Sequence, residues 1–475
     1  MTMSRQNRRT ISNYRHIAVL ACMAIMALGL LFGLLFFLRP TTSTIEKREL
    51  TAFPTPTFSS FIDGSFFTDV SLWYADTYPL REPMVGAAQS FKNLYGIQPE
   101  VKLIGGNFAA DEIGAHSDSS SDASGETSAS QKEATTFDEV DAPEAKPMQE
   151  AMQEQLMAGL YLKNGAAYNI YYFVDEGVEA YIKAINSLAD EVAGEAEVYS
   201  MLIPNGGAVL LDKSELDALG GSDQNQAIEY VFGRLSDKVH PVDIRSTLNS
   251  HKDEYLFFRT DHHWTQLGAY YAYTKFCEER GFEAQDMQSW ESMDFDDFLG
   301  TFYSETNDPS LVADTVHAYI PPQTNDMVFT DTDGSETESH VINDVTDWGP
   351  GTGYYCYGIG DYPLTHVSNP ELTDGSACLL LKDSYGNCFA PELIGHYQDL
   401  WVIDYRYSDT DICAFVREHN IDDIIIENNI TIASNIQVTQ SLLDQVEKGL
   451  TGTAEQTVEN TEAPAENPTE ASDEN

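Results

Sequence analysis

The chain has 475 residues and a formal net charge of −50, because 76 Asp and Glu outnumber 26 Lys and Arg. A surface this acidic excludes simple electrostatic binding of DNA or RNA, which requires basic side chains against the phosphates. We therefore expect no nucleic-acid partner.

The first predicted element is a transmembrane helix at residues 17–38, a run without a charge or a proline. A hydrocarbon core about 30 Å thick needs roughly 20 apolar residues at about 1.5 Å each. Four arginines precede the run and only Arg39 directly follows it. Since basic flanks stay in the cytoplasm, residues 1–16 are predicted to lie inside and the rest of the chain outside, with the membrane as a partner.

Two alternatives to a permanent anchor stay open. A cleavable signal peptide has the same basic start, but its apolar stretch is only about 7–15 residues long. The triplet Leu20-Ala21-Cys22 is compatible with lipoprotein processing, although cleavage there would leave most of the apolar run behind it. The length of the run favours the anchor.

Residues 41–106 are predicted to be folded, because aromatic residues recur at helical spacing within 64–78. That helix is predicted to end at Tyr78-Pro79, since proline cannot continue it. The segments 107–156 and 451–475 are acidic and lack apolar periodicity. Such segments cannot bury enough apolar surface to offset the entropy of ordering, so both are predicted to be disordered.

Of the six cysteines, Cys22 lies in the predicted membrane helix and five follow it. No pair has Cys-x-x-Cys spacing, and an odd number gives no obvious disulfide framework. We expect these five to be small buried apolar residues.

Residues 157–440 are predicted to form an α/β domain with a long, poorly periodic insertion at about 294–374. The predicted strands are 159–162, 167–172, 197–203, 255–258, 377–381, 400–403 and 423–426. The predicted helices are 178–192, 225–235, 265–280, 385–397 and 411–418. This alternation is typical of a doubly wound parallel sheet with helices on both faces.

Polar residues directly follow several predicted strands. They are Pro204-Asn205 after 197–203, the run 259–264 after 255–258, Lys382-Asp383-Ser384 after 377–381, Asp404-Tyr405-Arg406 after 400–403 and Glu427-Asn428-Asn429 after 423–426. Ligands of open α/β sheets bind beyond the carboxyl ends of the strands. We therefore expect these side chains to converge on one edge of the sheet.

Among them are a serine at a strand-to-helix turn and an Asp-x-His pair. A serine hydroxyl is a weak nucleophile until an imidazole takes its proton, and a carboxylate on the other ring nitrogen orients that imidazole. The backbone N–H of Ser384 at the start of a helix would stabilise an oxyanion, with Asn205 as a second donor. Together these residues would supply the nucleophile, the base and the orienting carboxylate of a catalytic triad.

Each residue also has an ordinary structural interpretation. Serine after a strand is often only a helix N-cap, and Asp383 fits a local turn. In the run 259–264, Asp261 or Thr260 would cap the following helix while Trp264 packs in the core.

Two further alternatives concern charge and metal binding. Adjacent His262 and His263 suit a metal site, but no further ligand stands at a recognised spacing. Arg406 either binds a carboxylate or phosphate or pairs with Asp404. We predict no metal and no cofactor.

The run Thr260-Asp261-His262-His263-Trp264-Thr265 resembles the bacterial DHHW protein family, named for its central tetrapeptide. The resemblance covers most of the folded chain, with further matching segments at 46–50, 53–54, 64–67, 78–81, 268–273, 382–387 and 402–407. That family is in turn similar to the SGNH-like domains of the alginate O-acetyltransferases, in which an Asp-x-His motif precedes the nucleophilic serine.

The resemblance implies an SGNH-like fold in which Ser384 takes up an acetyl group, His263 is the base and Asp261 orients it. His263 rather than His262 is favoured by position in the pattern. One departure is Lys382, which replaces the glycine of the usual Gly-Asp-Ser.

The predicted function is that of a membrane-anchored, extracytoplasmic O-acetyltransferase or acetylesterase acting on a cell-surface polysaccharide. A transferase also implies a multi-spanning acyl-donor membrane protein as partner, whereas an esterase needs none. The alternatives are a non-catalytic module that binds glycan or assists assembly, and a metal-dependent hydrolase using His262 and His263.

Overall fold

The computed structural model describes residues 39, 42–43, 48–49, 51–56, 65–78, 101–104, 137–143, 159–349 and 351–459. The chain divides into two compact units, residues 1–98 with 304–309 and residues 99–303 with 310–475. The predicted transmembrane helix 17–38 lies outside the described residues. None of the described helices combines the length and apolar composition that a membrane span requires.

In the first unit, strands β1 (Thr42–Ser43) and β2 (Arg48–Glu49) pair antiparallel. Helix α1 (Ser65–Asp76) confirms the helix predicted at 64–78. The ring of Phe53 meets Trp73 of this helix edge to face, with 4.8 Å between ring centroids. Aromatic side chains at helical spacing thus pack as the sequence indicates.

The second unit holds the predicted α/β domain. Its strands are β3 (Val101–Ile104), β4 (Leu160–Lys163), β5 (Ala166–Asn169), β6 (Glu197–Ile203), β7 (Val239–Pro241), β8 (Glu291–Phe298), β9 (Asp314–Ile320), β10 (Asp326–Thr330), β11 (Glu336–His340), β12 (Leu364–Ser368), β13 (Ala377–Lys382), β14 (Asp399–Asp404) and β15 (Asp423–Asn429).

The remaining α-helices are α2 (Asp175–Glu191), α3 (Gly206–Leu210), α4 (Lys213–Leu219), α5 (Gln224–Phe232), α6 (Arg245–Ser250), α7 (Gln266–Arg280), α8 (Thr301–Thr306), α9 (Ala390–Leu393), α10 (Ile412–Glu418), α11 (Ile430–Ala433) and α12 (Ile436–Glu459). Short 3₁₀ turns lie at Met287–Ser289, Thr346–Trp348, Gly353–Cys356 and Ser384–Asn387.

The central sheet has eight strands in the order β11-β10-β12-β14-β13-β15-β6-β7. The five strands from β14 to β7 are parallel, as predicted. Strands β12, β10 and β11 add an antiparallel extension. These three come from the poorly periodic segment 294–374, so the sheet is mixed and the prediction of a purely parallel sheet is wrong at this side.

Two predicted elements differ from the structure. The strand predicted at 255–258 is a loop with a single bridge between Phe257 and Trp264. The helix predicted at 385–397 is the 3₁₀ turn Ser384–Asn387 followed by the short α9, which has Pro391 at its start. Proline is tolerated only in the first turn of a helix, so the 3₁₀ turn and α9 cannot form one continuous helix.

Apolar strands bury side chains on both faces of the sheet. In β13, Cys378 and Leu380 join one hydrophobic core, while Leu379 and Leu381 join the other. Helices α7 and α9 contribute to the first core, and α2 and α12 to the second. Helices thus cover both faces, as predicted, because side chains alternate along a strand.

The two segments predicted to be disordered are described in part. Within 107–156 the structure describes 137–143, where Phe137 packs on Phe232 at 5.2 Å between ring centroids and the Val140 carbonyl accepts a hydrogen bond from Arg234 at 3.0 Å. Helix α12 continues to Glu459, past the predicted start of the tail at residue 451. The rest of both predicted segments lies outside the described residues.

The five cysteines beyond residue 38 are buried and form no disulfide, as expected from their spacing; they are Cys277, Cys356, Cys378, Cys388 and Cys413.

Candidate active site

The carboxyl ends of three neighbouring parallel strands are joined by side-chain hydrogen bonds. The backbone N–H of Asn429, at the end of β15, donates to Asp383 Oδ2 at 2.8 Å. The side-chain amide of Asn429 donates to Asn205 Oδ1, after β6, also at 2.8 Å. The predicted convergence of Asn205 and the residues following β13 on one sheet edge is therefore confirmed.

Ser384 is the first residue of the 3₁₀ turn that follows β13. Asp383, the preceding residue, caps this turn by accepting a hydrogen bond from the N–H of Tyr385 at 2.8 Å. Ser384 is half-buried, and its hydroxyl is not used as a cap. The structure thus assigns capping to Asp383 and leaves the serine hydroxyl for another partner.

That partner is His263. The Ser384 hydroxyl lies 2.7 Å from His263 Nε2, and His263 Nδ1 lies 2.6 Å from Asp261 Oδ1. Since a carboxylate only accepts, Nδ1–H donates to Asp261 and Nε2 accepts from the serine hydroxyl. Asp261 and His263 are almost fully buried. The three side chains form a continuous chain from a buried carboxylate to an accessible hydroxyl.

Asp261 is held from several sides. Its Oδ2 accepts from the backbone N–H of Thr301 at 2.8 Å. Gly300 passes so close that a Cβ there would lie 2.3 Å from Asp261, which leaves room only for glycine. Burial by itself would raise the pKa of Asp261, but His263, His262 and these hydrogen bonds lower the pKa below its usual value. Asp261 is therefore ionised.

The loop that carries Asp261 is fixed by Asp314, at the start of β9. The buried Asp314 Oδ2 accepts from the N–H and the hydroxyl of Thr260, at 2.8 and 2.6 Å. Its Oδ1 accepts from the N–H of Arg259 at 3.0 Å. Sequence reasoning missed Asp314, because it lies 54 residues from Thr260 in a segment without periodicity.

Aromatic side chains frame the histidine and the serine. The ring of Tyr354 stacks on the ring of His263, with 4.0 Å between centroids and 11° between planes. The Tyr354 hydroxyl donates to the Ser384 carbonyl at 2.8 Å, and Trp264 Nε1 donates to the Tyr385 carbonyl at 3.0 Å. These contacts fix the His263 ring relative to the serine turn, and the sequence carried no signal for Tyr354.

His262 points elsewhere. Its Nδ1 lies 2.7 Å from the Thr301 hydroxyl, and its side chain is 31% exposed. Partial burial and the adjacent His263 lower the pKa of His262, so its ring is neutral. The structure therefore places His263, and not His262, against Ser384.

Asp261, His262 and His263 bring ligand atoms within 4.8 Å of one another, a grouping compatible with a metal ion. Both ring nitrogens of His263, however, are already engaged by Asp261 and Ser384. A metal ion on His263 would displace one of them. The contacts observed therefore fit proton transfer better than metal ligation.

Arg406 is part of an ion cluster beside the serine turn, made of Asp361, Lys382, Asp404 and Arg406. Arg406 holds Asp404 through both Nε and Nη2, at 2.8 and 2.5 Å, and lies 3.3 Å from Asp361 Oδ1. Pairing with Asp404, one of the two interpretations of Arg406, is confirmed. These ion pairs raise the pKa of Arg406, against the effect of burial.

Lys382 replaces the glycine of the usual motif, and it is fully buried in this ion cluster. Its ammonium group donates to Asp404 Oδ2 at 3.1 Å and to Asn387 Oδ1 at 2.6 Å. Since Asn387 belongs to the same turn as Ser384, Lys382 ties this turn to β14.

Asn205 is buried at the predicted edge, but its side chain bonds to its neighbours rather than to Ser384. Its amide donates to the Thr431 hydroxyl at 3.2 Å, and its Oδ1 accepts from Asn429. In the described part of the chain, one amide hydrogen of Asn205 therefore has a partner, the Thr431 hydroxyl.

Comparison with one solved DHHW family protein shows that the fold is shared. A DHHW family protein from Eubacterium siraeum is 24% identical and superimposes with a TM-score of 0.54 over 60% of this chain and 94% of that one. PatB1 of Bacillus cereus is 18% identical, with a TM-score of 0.49 over 59% of this chain and 95% of that one. The O-acetyltransferase domain of AlgJ from Pseudomonas putida is 12% identical, with a TM-score of 0.35 over 60% of this chain and 98% of that one.

Among curated proteins, none matches this sequence significantly. The model of the family described as DHHW protein matches residues 46–126 and 139–403, which is most of the sequence and includes the tetrapeptide at 261–264 and Ser384. The chain belongs to the DHHW protein family.

Proposed function

We propose that this chain is a serine-dependent acyl-transfer enzyme that moves acetyl groups to or from hydroxyls of a cell-surface polysaccharide. The observation that carries the proposal is the position of His263 between Asp261 and Ser384, at 2.6 and 2.7 Å. A nucleophile in contact with a base, itself oriented by a carboxylate, is the arrangement that acyl transfer requires.

In the first half-reaction, Ser384 Oγ attacks the carbonyl carbon of an acetyl ester while His263 Nε2 takes the hydroxyl proton. The bond to the donor oxygen then breaks, and His263 returns its proton to that oxygen. The ionised Asp261 stabilises the positive imidazolium that exists between these two steps.

The second half-reaction releases the acetyl group from Ser384. A hydroxyl of the acceptor gives its proton to His263 and attacks the acetyl carbon, and the serine oxygen leaves with that proton. With a sugar hydroxyl the chain is a transferase, and with water it is an esterase. Both half-reactions use Asp261, His263 and Ser384, and His263 is first the base and then the acid in each of them.

The developing oxyanion needs donors. The backbone N–H of Ser384 begins the turn, where the first N–H groups of a helix have no partner within it. The second amide hydrogen of Asn205 supplies the other donor in this proposal, with an expected contribution to the rate of roughly 10²–10³-fold.

The location of the enzyme is part of the proposal. The apolar run 17–38 and the arginines before it favour an anchor that leaves the α/β domain outside the cytoplasm. A transferase in that compartment requires acetyl groups brought across the membrane, so we expect a multi-spanning membrane protein as the acyl donor. An esterase would act without this partner.

The direct test is turnover of p-nitrophenyl acetate by the full chain, purified in detergent, with intact-mass analysis of the acetylated protein. The wild-type chain should release p-nitrophenolate and carry one acetyl group on Ser384, and Ser384→Ala should do neither. The matched control is Ser376→Ala, because Ser376 precedes β13 whereas Ser384 follows it. Its turnover should equal that of the wild type.

If wild type and Ser384→Ala are equally inert, the proposal fails and a non-catalytic glycan-binding or assembly module becomes the better interpretation. If turnover disappears only when metal is removed from the sample, the metal-dependent hydrolase becomes the better one.

A further inference from the structure

Two exposed tyrosines directly follow residues that contact the serine turn or belong to the ion cluster. Tyr355 is 50% exposed and Tyr407 is 49% exposed, although large aromatic side chains in the second unit are mostly buried. Tyr355 directly follows Tyr354, whose ring stacks on His263 and whose hydroxyl holds the Ser384 carbonyl. Tyr407 directly follows Arg406, whose guanidinium carbon lies 5.3 Å from the centre of the Tyr407 ring.

Asp361 is linked to the serine turn and to Arg406, the residue before Tyr407. Its Oδ1 accepts from the side-chain amide of Asn387, in the Ser384 turn, at 3.0 Å, and lies 3.3 Å from Arg406 Nη2. The Asp361 side chain is 37% exposed. In the described part of the chain, the protein donors to this carboxylate meet Oδ1, so Oδ2 remains for an external donor.

Electrostatics agree with this placement. Burial, together with the charges of Asp361 and Asp261, raises the pKa of Tyr355. Burial also raises the pKa of Tyr407, and Asp361 adds to that effect against the opposite influence of Arg406. Both hydroxyls are therefore within reach of the charge on Asp361.

Exposed tyrosine rings and a carboxylate suit a sugar ring. The faces of tyrosine cover apolar C–H surface, and the phenol tip stays in water. A carboxylate oxygen accepts hydrogen bonds from hydroxyl groups. A pyranose offers both a C–H face and hydroxyl groups, so it matches all three side chains at once.

The charge of the site argues against an anionic sugar. Within the ion cluster two cations, Lys382 and Arg406, face two anions, Asp361 and Asp404. No positive charge of this cluster is left over for a uronate or a phosphate. A chain with a net charge of −50 also repels an anionic polymer over distances of about a Debye length.

We propose that Tyr355, Asp361 and Tyr407 form the acceptor subsite of the enzyme and that this subsite takes an uncharged pyranose chain. The inference rests on the proposed function, since it assigns the acceptor of the same serine. In this proposal the sugar hydroxyl approaches Ser384 from the side of Asn387 and Asp361, which are hydrogen-bonded to each other.

Binding can be measured without turnover. The full chain with Ser384→Ala is titrated with chitopentaose and cellopentaose as neutral probes and with pentagalacturonate as the anionic probe, by calorimetry. We expect at least one neutral probe to bind and the anionic probe to bind at least tenfold more weakly. Adding Tyr355→Ala or Tyr407→Ala should lower the affinity for the neutral probe roughly five- to tenfold.

The matched control is Trp348→Ala in the same background, since Trp348 is exposed, at 58%, and lies outside the three-residue subsite. Its affinity should equal that of Ser384→Ala alone. Asp361→Asn should also weaken binding, and thermal melts show whether each variant is folded.

Equal affinity in the tyrosine variants, stronger binding of pentagalacturonate, or binding of neither neutral probe each overturns the inference. The proposed function is judged separately, by the acetyl adduct on Ser384 in the otherwise native chain. An adduct without neutral-sugar binding removes the subsite and keeps the enzyme. Sugar binding lost in the tyrosine variants, with no adduct, keeps the subsite and removes the enzyme.

Discussion

Two groups of polar and charged side chains contact the Ser384 turn and differ in their chemistry. The first is the chain Asp261–His263–Ser384, which ends at a half-buried hydroxyl. The second is the ion cluster of Asp361, Lys382, Asp404 and Arg406, in which each charge meets an opposite charge at 3.5 Å or less. The first joins a hydroxyl to an imidazole through a hydrogen bond, and the second holds only paired ions.

The difference shows that one edge of the sheet holds both a stabilising ion cluster and a candidate reactive group. Buried charges are costly unless they are paired and hydrogen-bonded, and the ion cluster meets that condition within the protein. The Asp261 carboxylate instead accepts hydrogen bonds from the His263 ring and from the backbone N–H of Thr301. The ion cluster fixes the serine turn through Asn387, and His263 contacts the Ser384 hydroxyl without belonging to that cluster.

The largest expected effect comes from breaking the triad at its base. In His263→Ala, p-nitrophenyl acetate turnover should fall roughly 10⁴-fold or more, since nucleophile and base act as a unit. In His262→Ala, the matched control, the loss should stay within about tenfold. Single-turnover p-nitrophenolate release measures both. Loss of activity only in the His262 variant would reverse the assignment of the base.

The next prediction tests whether Asn205 acts with the Asp261–His263–Ser384 group or only stabilises the fold, as the ion cluster does. As an oxyanion donor, Asn205→Ala should slow acetylation of Ser384 roughly 10²–10³-fold. A merely structural Asn205 would instead lower the denaturant midpoint and leave the acetylation rate of the folded fraction intact. Rapid-quench mass spectrometry and urea unfolding on the same sample distinguish the two.

Breaking the ion cluster should lower the free energy of unfolding. Lys382→Met leaves Asp404 buried with one cation fewer, and breaking a buried pair costs about 3–5 kcal/mol. The control is Lys183→Met, since Lys183 pairs with Glu447 at the surface, where ion pairs contribute about 1 kcal/mol or less. Urea denaturation gives both free energies of unfolding. Equal stabilities for the two variants would show that the cluster does not hold the turn.

The smallest expected effect concerns a buried carboxyl group without an ion pair. Burial raises the pKa of Glu392 to about 8, although Gln266 donates to it at 3.0 Å. The folded form keeps a proton that the unfolded chain releases above about pH 4.3. This contribution to stability is therefore complete below that pH and is lost as the pH rises through about 8.

Glu392→Gln should accordingly flatten the decline of stability between about pH 5 and 8. Urea midpoints measured across this range are compared with those of the exposed control Glu418→Gln, which should keep the native slope. An unchanged slope in Glu392→Gln would mean that Glu392 is ionised in the folded chain.

The fold could be predicted where the signal was local. The strands β6, β13, β14 and β15 each contain a mainly apolar run, because parallel strands are buried on both faces. Helix α7 was predicted to within a residue at its start, since Thr265 supplies the N-cap and Gly281 ends it in a left-handed conformation. Segment 294–374 carried no such signal, and three sheet strands within it were therefore not assigned to the sheet.

The site was predictable to the same extent. Asp261, His263 and Ser384 were identified from residue types and the family pattern, and their contacts agree with that pattern. Asp314, Tyr354 and Asp361 were missed because each acts across a long separation in sequence, such as the 30 residues between Tyr354 and Ser384. Neither spacing nor residue type marks such a contact.

The sequence by itself determined the alternation of buried strands and helices, the acidity that excludes nucleic acid, and the three residues of the candidate triad. Only the tertiary structure decided which histidine meets the serine, that Arg406 and Lys382 are paired inside the protein, and that Tyr355 and Tyr407 remain exposed. The physical reason is that periodicity and caps depend on neighbours within a few residues. The direction of a side chain and the partner of a buried charge depend on elements that only the folded sheet brings together.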